Sequence, residues 1–236
     1  MSLDFELPLL ESDDRSRRQA TIGSRVLDRI RQAIVQLQFR PGNPLSEAEI
    51  ARQLGVSRQP VREAFIKLSD IGLLEIRPQR GTFVRLISIR EVENARFIRE
   101  AIEVAIVRKA AGTATDADFD RLAEIIADQK SVSRSGDNVA FLRLDEMFHQ
   151  AIARSADCED AWRVLESLKT QMDRVRFLSL PKATPLKLII EQHQRILQGI
   201  KAHSPDESER AMRLHLSEIL VSLPHLAAKY PSLFVD

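Results

Sequence analysis

Four side chains with the chemistry of divalent-metal ligands stand out in the C-terminal half of the chain. Asp145 and His149 are four residues apart, so a helix would stack the carboxylate and the imidazole on one face. Alone, such a pair is more often a helix-supporting contact. His193 falls beside apolar Ile189, Ile190, Ile196 and Leu197, and His215 falls between Leu214 and Leu216. Both are therefore placed to face the interior of a helical bundle. Three neutral imidazoles and one carboxylate make a nitrogen and oxygen set suited to a divalent ion such as zinc or nickel, and bundles build such sites from facing helices. Three buried, hydrogen-bonded histidines are the alternative. His203, near a helix end, and His225, one residue after Pro224, read as structural.

A second group is cationic. Arg58 and Arg62 lie four apart in Ser57-Arg58-Gln59-Pro60-Val61-Arg62, so on a helix they project from one face. A guanidinium makes bidentate bonds to guanine or to phosphate oxygens, and Gln59 suits an adenine edge. Downstream, Arg80-Gly81 sits in a turn whose glycine permits a tight reversal. Solvated or acid-paired arginines are the alternative for each residue taken singly.

The elements that must carry these groups are legible from spacing and caps. Apolar positions from Ser24 to Leu37 recur at helical intervals, with Arg40-Pro41-Gly42 expected to stop the helix. Ser46-Glu47-Ala48-Glu49 has the form of a capping box opening a short helix to Leu54. Gly55 supplies the turn. Ser57 is expected to cap a third helix through Leu68, with Pro60 in its first turn. Extended stretches over Leu74 to Arg77 and Thr82 to Leu86 flank Pro78-Gln79-Arg80-Gly81, which predicts a hairpin with a basic tip.

From Ser88 onward, caps and periodicity predict six helices and no strand. The spans are Ile89 to Ala111, Asp116 to Arg134, Asp137 to Ala153, Cys158 to Leu180, Pro185 to Lys201 and Pro205 to Ala228. Thr115 with Asp118, Thr184 before Pro185, and Ser204-Pro205-Asp206-Glu207 mark their starts, as Ser88 with Glu91 marks the first. The expected organisation is a tail over 1–20, a DNA-binding unit over 21–87 and a helical unit over 88–230. The fold class is mainly α: a winged helix-turn-helix with a small β-hairpin wing, followed by an all-α antiparallel bundle.

The length of 236 residues suits two modest domains. The net charge of +1 conceals an asymmetry, for residues 21–90 carry +6, residues 1–20 carry −2 and residues 91–236 carry −3. A basic head on an acidic body points to a polyanion partner for the head alone. One cysteine, Cys158, excludes an intrachain disulfide and a multi-thiolate zinc site, and a reducing cytoplasm is expected. The first residues, broken by Asp4, Glu6 and Pro8, predict neither a leader nor a membrane span.

The order Leu45-Ser46-Glu47, Leu54-Gly55-Val56-Ser57-Arg58-Gln59-Pro60-Val61-Arg62-Glu63-Ala64, Gly72-Leu73-Leu74 and Pro78-Gln79-Arg80-Gly81-Thr82-Phe83-Val84 resembles the GntR family of winged-helix regulators over Ser24 to Leu86. The resemblance implies double-stranded operator DNA as partner, read by Ser46, Arg52, Ser57, Arg58, Gln59, Arg62, Arg80 and Gly81. Ala48 departs from it: several relatives carry a cation there that touches DNA, and Arg52 is the substitute available here. The succession Asp145, His149, His193, His215 further resembles the FCD type of ligand domain in the FadR subfamily, in its smaller, VanR-like, six-helix version. That resemblance implies that the four residues hold a divalent metal ion, beside which a small organic acid binds. Arg99-Glu100-Ala101-Ile102-Glu103 resembles the family's Arg-x-x-Leu-Glu stretch, which makes Arg99 an effector-binding candidate with Arg176 as a second cation. For Arg99 a surface pair with Glu103 is the alternative.

A homodimer is expected, since two recognition helices about one DNA turn apart read a pseudo-palindromic operator. Repression relieved by a metabolite is the expected sign. A zinc hydrolase is the rival from another class, but no second acid falls at motif-like spacing from the ligand set to serve as general acid or base. A sensor of the metal itself is the third reading.

Overall fold

The structure, a computed structural model, describes Leu7, residues 21–180 and residues 185–236. The tail expected over 1–20, Leu7 apart, and the Thr184 cap lie outside the described residues. The chain divides into two compact units, Met1–Ile87 with Ser232–Val235, and Ser88–Pro231 with Asp236.

In the first unit, Thr21 accepts a hydrogen bond from Ser24 N–H and starts α1 (Ile22–Val35), which buries Val26, Ile30, Ala33 and Ile34. The helix ends earlier than the Arg40-Pro41-Gly42 signal suggests. Leu37 takes a left-handed backbone (φ 57°), and the reversal brings Phe39 N–H to the Ala33 carbonyl and its ring into the core. Burying Phe39 outweighs the helical pattern that runs on to Leu37. Ser46 caps α2 (Glu47–Leu54), and Gly55 closes it at φ 67°, a left-handed conformation that favours glycine. Then follows α3 (Arg58–Asp70), which turns Val61, Ala64, Phe65 and Leu68 into the core. Ser57 departs from expectation. Its backbone is extended, as at an N-cap, but its hydroxyl makes no capping bond, so the first N–H groups of α3 are not taken up by it.

The hairpin forms as expected from β2 (Leu74–Arg77) and β3 (Gly81–Val84), paired Leu74 with Val84 and Arg77 with Gly81. A strand missed in the sequence, β1 (Pro44–Leu45), joins the other edge of β3, giving the order β1-β3-β2, all antiparallel. Two residues are too few for a period-2 signal. A second small sheet pairs β4 (Ile87–Ser88) with β5 (Phe234–Val235). Leu7 is buried in this unit's core, with its N–H donating to Gln53 Oε1 at 3.0 Å.

The second unit consists of α4 (Ile89–Thr113), α5 (Asp116–Ser135), α6 (Asn138–Ser155), α7 (Glu159–Leu168), α8 (Thr170–Ser179), α9 (Leu186–Lys201) and α10 (Pro205–Lys229). The expected six spans become seven segments because Cys158 to Leu180 is interrupted at Lys169. That residue's buried ammonium is held by Asp173 at 2.8 Å and Glu146 at 3.3 Å, pairings that apolar periodicity does not register. Thr115 and Asp118 form a complete capping box, and Ser88 and Ser204 cap α4 and α10. Phe141, Phe148 and Ile152 of α6 meet Val107 of α4, Leu122 and Ile125 of α5, and Ile196 and Ile200 of α9 in one core. His203 donates from Nδ1 to the Ala111 carbonyl and His225 from Nδ1 to the Val221 carbonyl, both outside the ligand cluster.

Gly199 marks a close approach between α9 and α10. A Cβ there would lie 2.8 Å from both the backbone nitrogen and the hydroxyl of Ser208. Gly199→Ala is expected to destabilise the second unit by about 1–3 kcal/mol through overpacking. An unchanged urea midpoint would refute this.

Candidate metal centre and nucleic-acid interface

Helix α3 opens on an exposed face of the first unit. Arg58 starts it and Arg62 follows one turn later; both reach back to Glu47, the first residue of α2. Arg58 Nη2 lies 3.2 Å from Glu47 Oε2, while Arg62 donates through Nε to Oε1 at 3.2 Å and through Nη2 to Oε2 at 3.1 Å. The Glu47 carboxyl is lowered from its ordinary value chiefly by the Arg62 hydrogen bond, and the Arg62 guanidinium is raised by the same contact. Gln59 donates to Glu63, and Arg52 pairs with Glu49, whose carboxylate therefore does not close the box back onto Ser46 in the expected manner. Ser46 Oγ still accepts from Glu49 N–H. Arg80 at the hairpin tip is exposed and has no side-chain partner among the described residues, and Gly81 follows at φ 104°. Ala48 is exposed on α2, so the missing cation leaves a bare methyl on this surface.

The second unit brings Asp145, His149, His193 and His215 together. One ligand atom from each lies within 4.8 Å of the others, and all four residues are buried. Asp145 and His149 come from α6, His193 from α9 and His215 from α10. Their surroundings fix the imidazoles. His149 Nδ1 lies 2.5 Å from Glu103 Oε2, His193 Nδ1 2.9 Å from Gln129 Oε1 and His215 Nδ1 3.1 Å from Gln192 Oε1. Gln192 in turn donates its Nε2 to Glu218 at 2.7 Å, which orients its oxygen toward His215. Acceptors hydrogen-bonded at the His193 and His215 Nδ1 atoms place the proton there and leave those two Nε2 atoms a lone pair, whereas His149 Nδ1 lies against Glu103 without hydrogen-bond geometry. The His149 and His215 Nε2 atoms face each other at 3.1 Å, and His193 Nε2 is buried without a hydrogen-bond partner, 3.5 Å from Asp145 Oδ1. The His149–His215 contact needs either a proton on one of the two Nε2 atoms or a cation between them.

Two arginines line the same region. Arg99 of α4 pairs with Glu103, as the alternative reading allowed, but the pair is buried rather than on the surface: Arg99 is 4% and Glu103 3% exposed. Arg176 of α8 pairs with Asp145. Burial would raise the Asp145 carboxyl, yet the Arg176 guanidinium beside it holds it well below the usual range. Glu103 behaves alike: Arg99 and His149 overcome burial and bring it to about 2. Desolvation, assisted by neighbouring positive charge, pushes His193 down to about 3, and His215 is likewise held well below its ordinary value. Both imidazoles are therefore neutral at pH 7, the form that ligates metal. A cavity of about 50 Å³ abuts this cluster, with Arg99, Asp145, Arg176, His215, Glu218 and Ser222 among its walls.

Sequence reasoning found the four ligand candidates and both arginines. It missed Gln129, Gln192 and Glu218, and it assigned Glu103 no role toward His149. Glu218 follows His215 by three residues, which was a usable signal; Gln129, sixty-four residues from His193, offered none.

Comparison with known proteins agrees with both units. Residues 22–84 match the model of bacterial regulatory proteins of the gntR family, and residues 95–218 match the FCD domain. The HTH-type transcriptional repressor RspR of Escherichia coli is 42% identical over 82% of this chain and 85% of its own length. The Nta operon transcriptional regulator of Aminobacter aminovorans is 30% identical over 78% and 86%. In fold, Escherichia coli McbR/YncC superposes with a TM-score of 0.76 at 20% identity, covering 90% of this chain and all of the other. No helix among the described residues is long and apolar enough to cross a membrane. The chain belongs to the gntR family of bacterial regulatory proteins, with an FCD domain after its DNA-binding unit, and is a DNA-binding transcriptional regulator rather than an enzyme.

Proposed function

We propose that this regulator is a cytoplasmic homodimeric repressor whose operator affinity is set by a small carboxylate metabolite bound beside a divalent metal ion in the FCD domain. The observation that carries the metal is the convergence of three buried imidazoles and the Asp145 carboxylate, with the His193 and His215 Nδ1 atoms hydrogen-bonded to outer acceptors and His149 Nδ1 against Glu103. Asp145, His149, His193 and His215 would hold the ion, zinc or nickel by donor type. The ion would supply positive charge and an open coordination position to an oxygen ligand.

Charge balance supports an anionic effector. Asp145 and Glu103 offset Arg99 and Arg176, so these four side chains sum to zero and a divalent ion brings the cluster to +2; Glu218 at the cavity reduces that by one. A carboxylate would complete the neutralisation, and a buried one requires such cationic partners. Arg99 and Arg176, the two cations in the cavity wall, are the groups that would receive it. Repression is favoured by the name of the RspR relative.

On the DNA side, Arg58, Gln59 and Arg62 of α3 would read base edges, with Ser46, Arg52, Ser57 and the Arg80-Gly81 tip on the backbone. The test selects duplexes from a random library with the wild-type chain and measures binding of the enriched duplex by gel shift. Arg58→Ala and Arg62→Ala are each expected to weaken it by about 10- to 100-fold, as loss of a bidentate base contact does. Failure of the wild type to enrich any sequence would sink the operator reading. Titrating metal with and without sugar acids and dicarboxylates then separates a metabolite sensor from a sensor of the metal alone.

A further inference from the structure

We propose that Glu47 is a positioning residue for base recognition: its carboxylate holds Arg62 by the side edge of the guanidinium and so presents the opposite, end-on edge to a guanine. This rests on the reading of α3 as the recognition helix.

The argument starts from the geometry of the fork. A guanidinium has a side edge, made by Nε–H and one Nη2–H, and an end edge, made by Nη1–H and the other Nη2–H, each able to donate two parallel hydrogen bonds. Glu47 engages Arg62 through Nε and Nη2, at 3.2 and 3.1 Å, one carboxylate oxygen to each. The side edge is thereby occupied and the end edge remains for O6 and N7 of a guanine, the bidentate pattern that distinguishes G·C from other pairs. Without the carboxylate, an arginine so exposed has many rotamers and either edge to offer. Arg62 has 55% of its side chain exposed and Arg58 62%, against 22% for Glu47. The acid is thus the least exposed member of the trio, seated on the first residue of α2 beside its Ser46 cap.

Glu47 also gathers Arg58, through Nη2 at 3.2 Å. One carboxylate bridging two guanidiniums sets their separation on the recognition face and lowers its charge from +2 to +1. An exposed ion pair contributes little to folding stability. Its effect on DNA is larger, because every net positive charge on this face adds to sequence-independent attraction to phosphates. Glu47 therefore acts twice in one direction: it restrains non-specific binding and orients the specific contact.

These two actions predict opposite responses that a merely structural acid would not give. The probes are the duplex enriched by the wild-type chain from a random library and a scrambled duplex of equal length. Glu47→Gln in the full chain is expected to bind the scrambled duplex more tightly and to steepen the salt dependence by roughly one counterion. Affinity for the enriched duplex is expected to fall or stay level, so that the specificity ratio drops about tenfold, with the preference at one G·C pair relaxed. A specificity ratio and guanine preference within twofold of wild type would overturn the proposal. Arg62→Ala separates the layers: if Arg62→Ala loses the same guanine preference while Glu47→Gln keeps it, only the positioning role fails. If Arg62→Ala keeps that preference, the recognition reading fails and takes the proposal with it.

Discussion

Adding zinc or nickel to metal-free protein at about a thousandfold excess over its dissociation constant is expected to raise the melting temperature of the second unit by about 10 °C. Binding to the folded state alone stabilises by RT ln(1 + [L]/Kd), which is about 4 kcal/mol at that excess. For a unit of this size each kcal/mol shifts the midpoint by roughly 2–4 °C. His193→Gln should lose the shift. The imidazole is fully buried, stacked on Phe148 at 4.2 Å between ring centroids, and is the residue whose Nε2 has no other partner. An amide in its place provides no comparable lone pair. Gln129→Leu tests the outer layer, since removing the acceptor of His193 Nδ1 leaves the ring free to rotate or change tautomer; a loss of about 10- to 100-fold in metal affinity is expected. Calorimetric titration of each variant measures this directly. A wild-type chain that binds neither ion, or a His193→Gln chain that binds as tightly as wild type, would refute the ligand set.

Without metal, the protein is expected to lose stability steeply as the pH falls below about 6.5. The sign follows from the direction of the shifts. His193 is lowered from 6.5 to about 3 by burial and neighbouring cations. Between those values the unfolded chain takes up a proton there and the folded chain does not, so acid favours unfolding by about 1.4 kcal/mol per pH unit for each such group. His215 shifts in the same direction. Glu103, lowered from 4.5 to about 2, adds its share only below about pH 4.5. Stability is thus fully present above pH 6.5, declines first through the histidines and then through the carboxylates. His193 and His215 share one pocket and titrate together, so a broad acid limb is expected rather than separate steps. Urea unfolding of chelator-treated protein at pH 7.5, 6, 5 and 4 would trace it. A flat profile down to pH 4.5 would mean that the histidines are not held neutral by their surroundings. Metal should resist the first stage of acidification and then be released, because protons compete for the same nitrogens.

The two predictions bear on one structural choice. This sequence buries three imidazoles, two carboxylates and one guanidinium, with a second guanidinium half-buried beside them, where apolar residues could pack more stably. Arg99 with Glu103 and Arg176 with Asp145 make that burial tolerable by pairing every full charge. The unpartnered Nε2 of His193, with the facing Nε2 atoms of His149 and His215 near it, lies at the centre of the ligand set.

The sequence by itself determined the elements and the ligand types. Caps, glycines and apolar spacing are local, acting within one or two turns, which is why α2, α3, the hairpin and most of the bundle helices could be read before any tertiary contact was known. The four ligand candidates were legible for the same reason, since each sits on the apolar face of its own helix. What only the tertiary structure decided lies between elements far apart in the chain. The end of α1 was set by the burial of Phe39, the third strand by pairing across the sheet, and the interruption at Lys169 accompanies a buried lysine held by two acids. Likewise the acceptors that fix the imidazoles, Glu103, Gln129 and Gln192, and the carboxylate that gathers Arg58 and Arg62 are neighbours in space with no fixed spacing in sequence. Such contacts follow from how faces pack, and a one-dimensional pattern carries no signal for them.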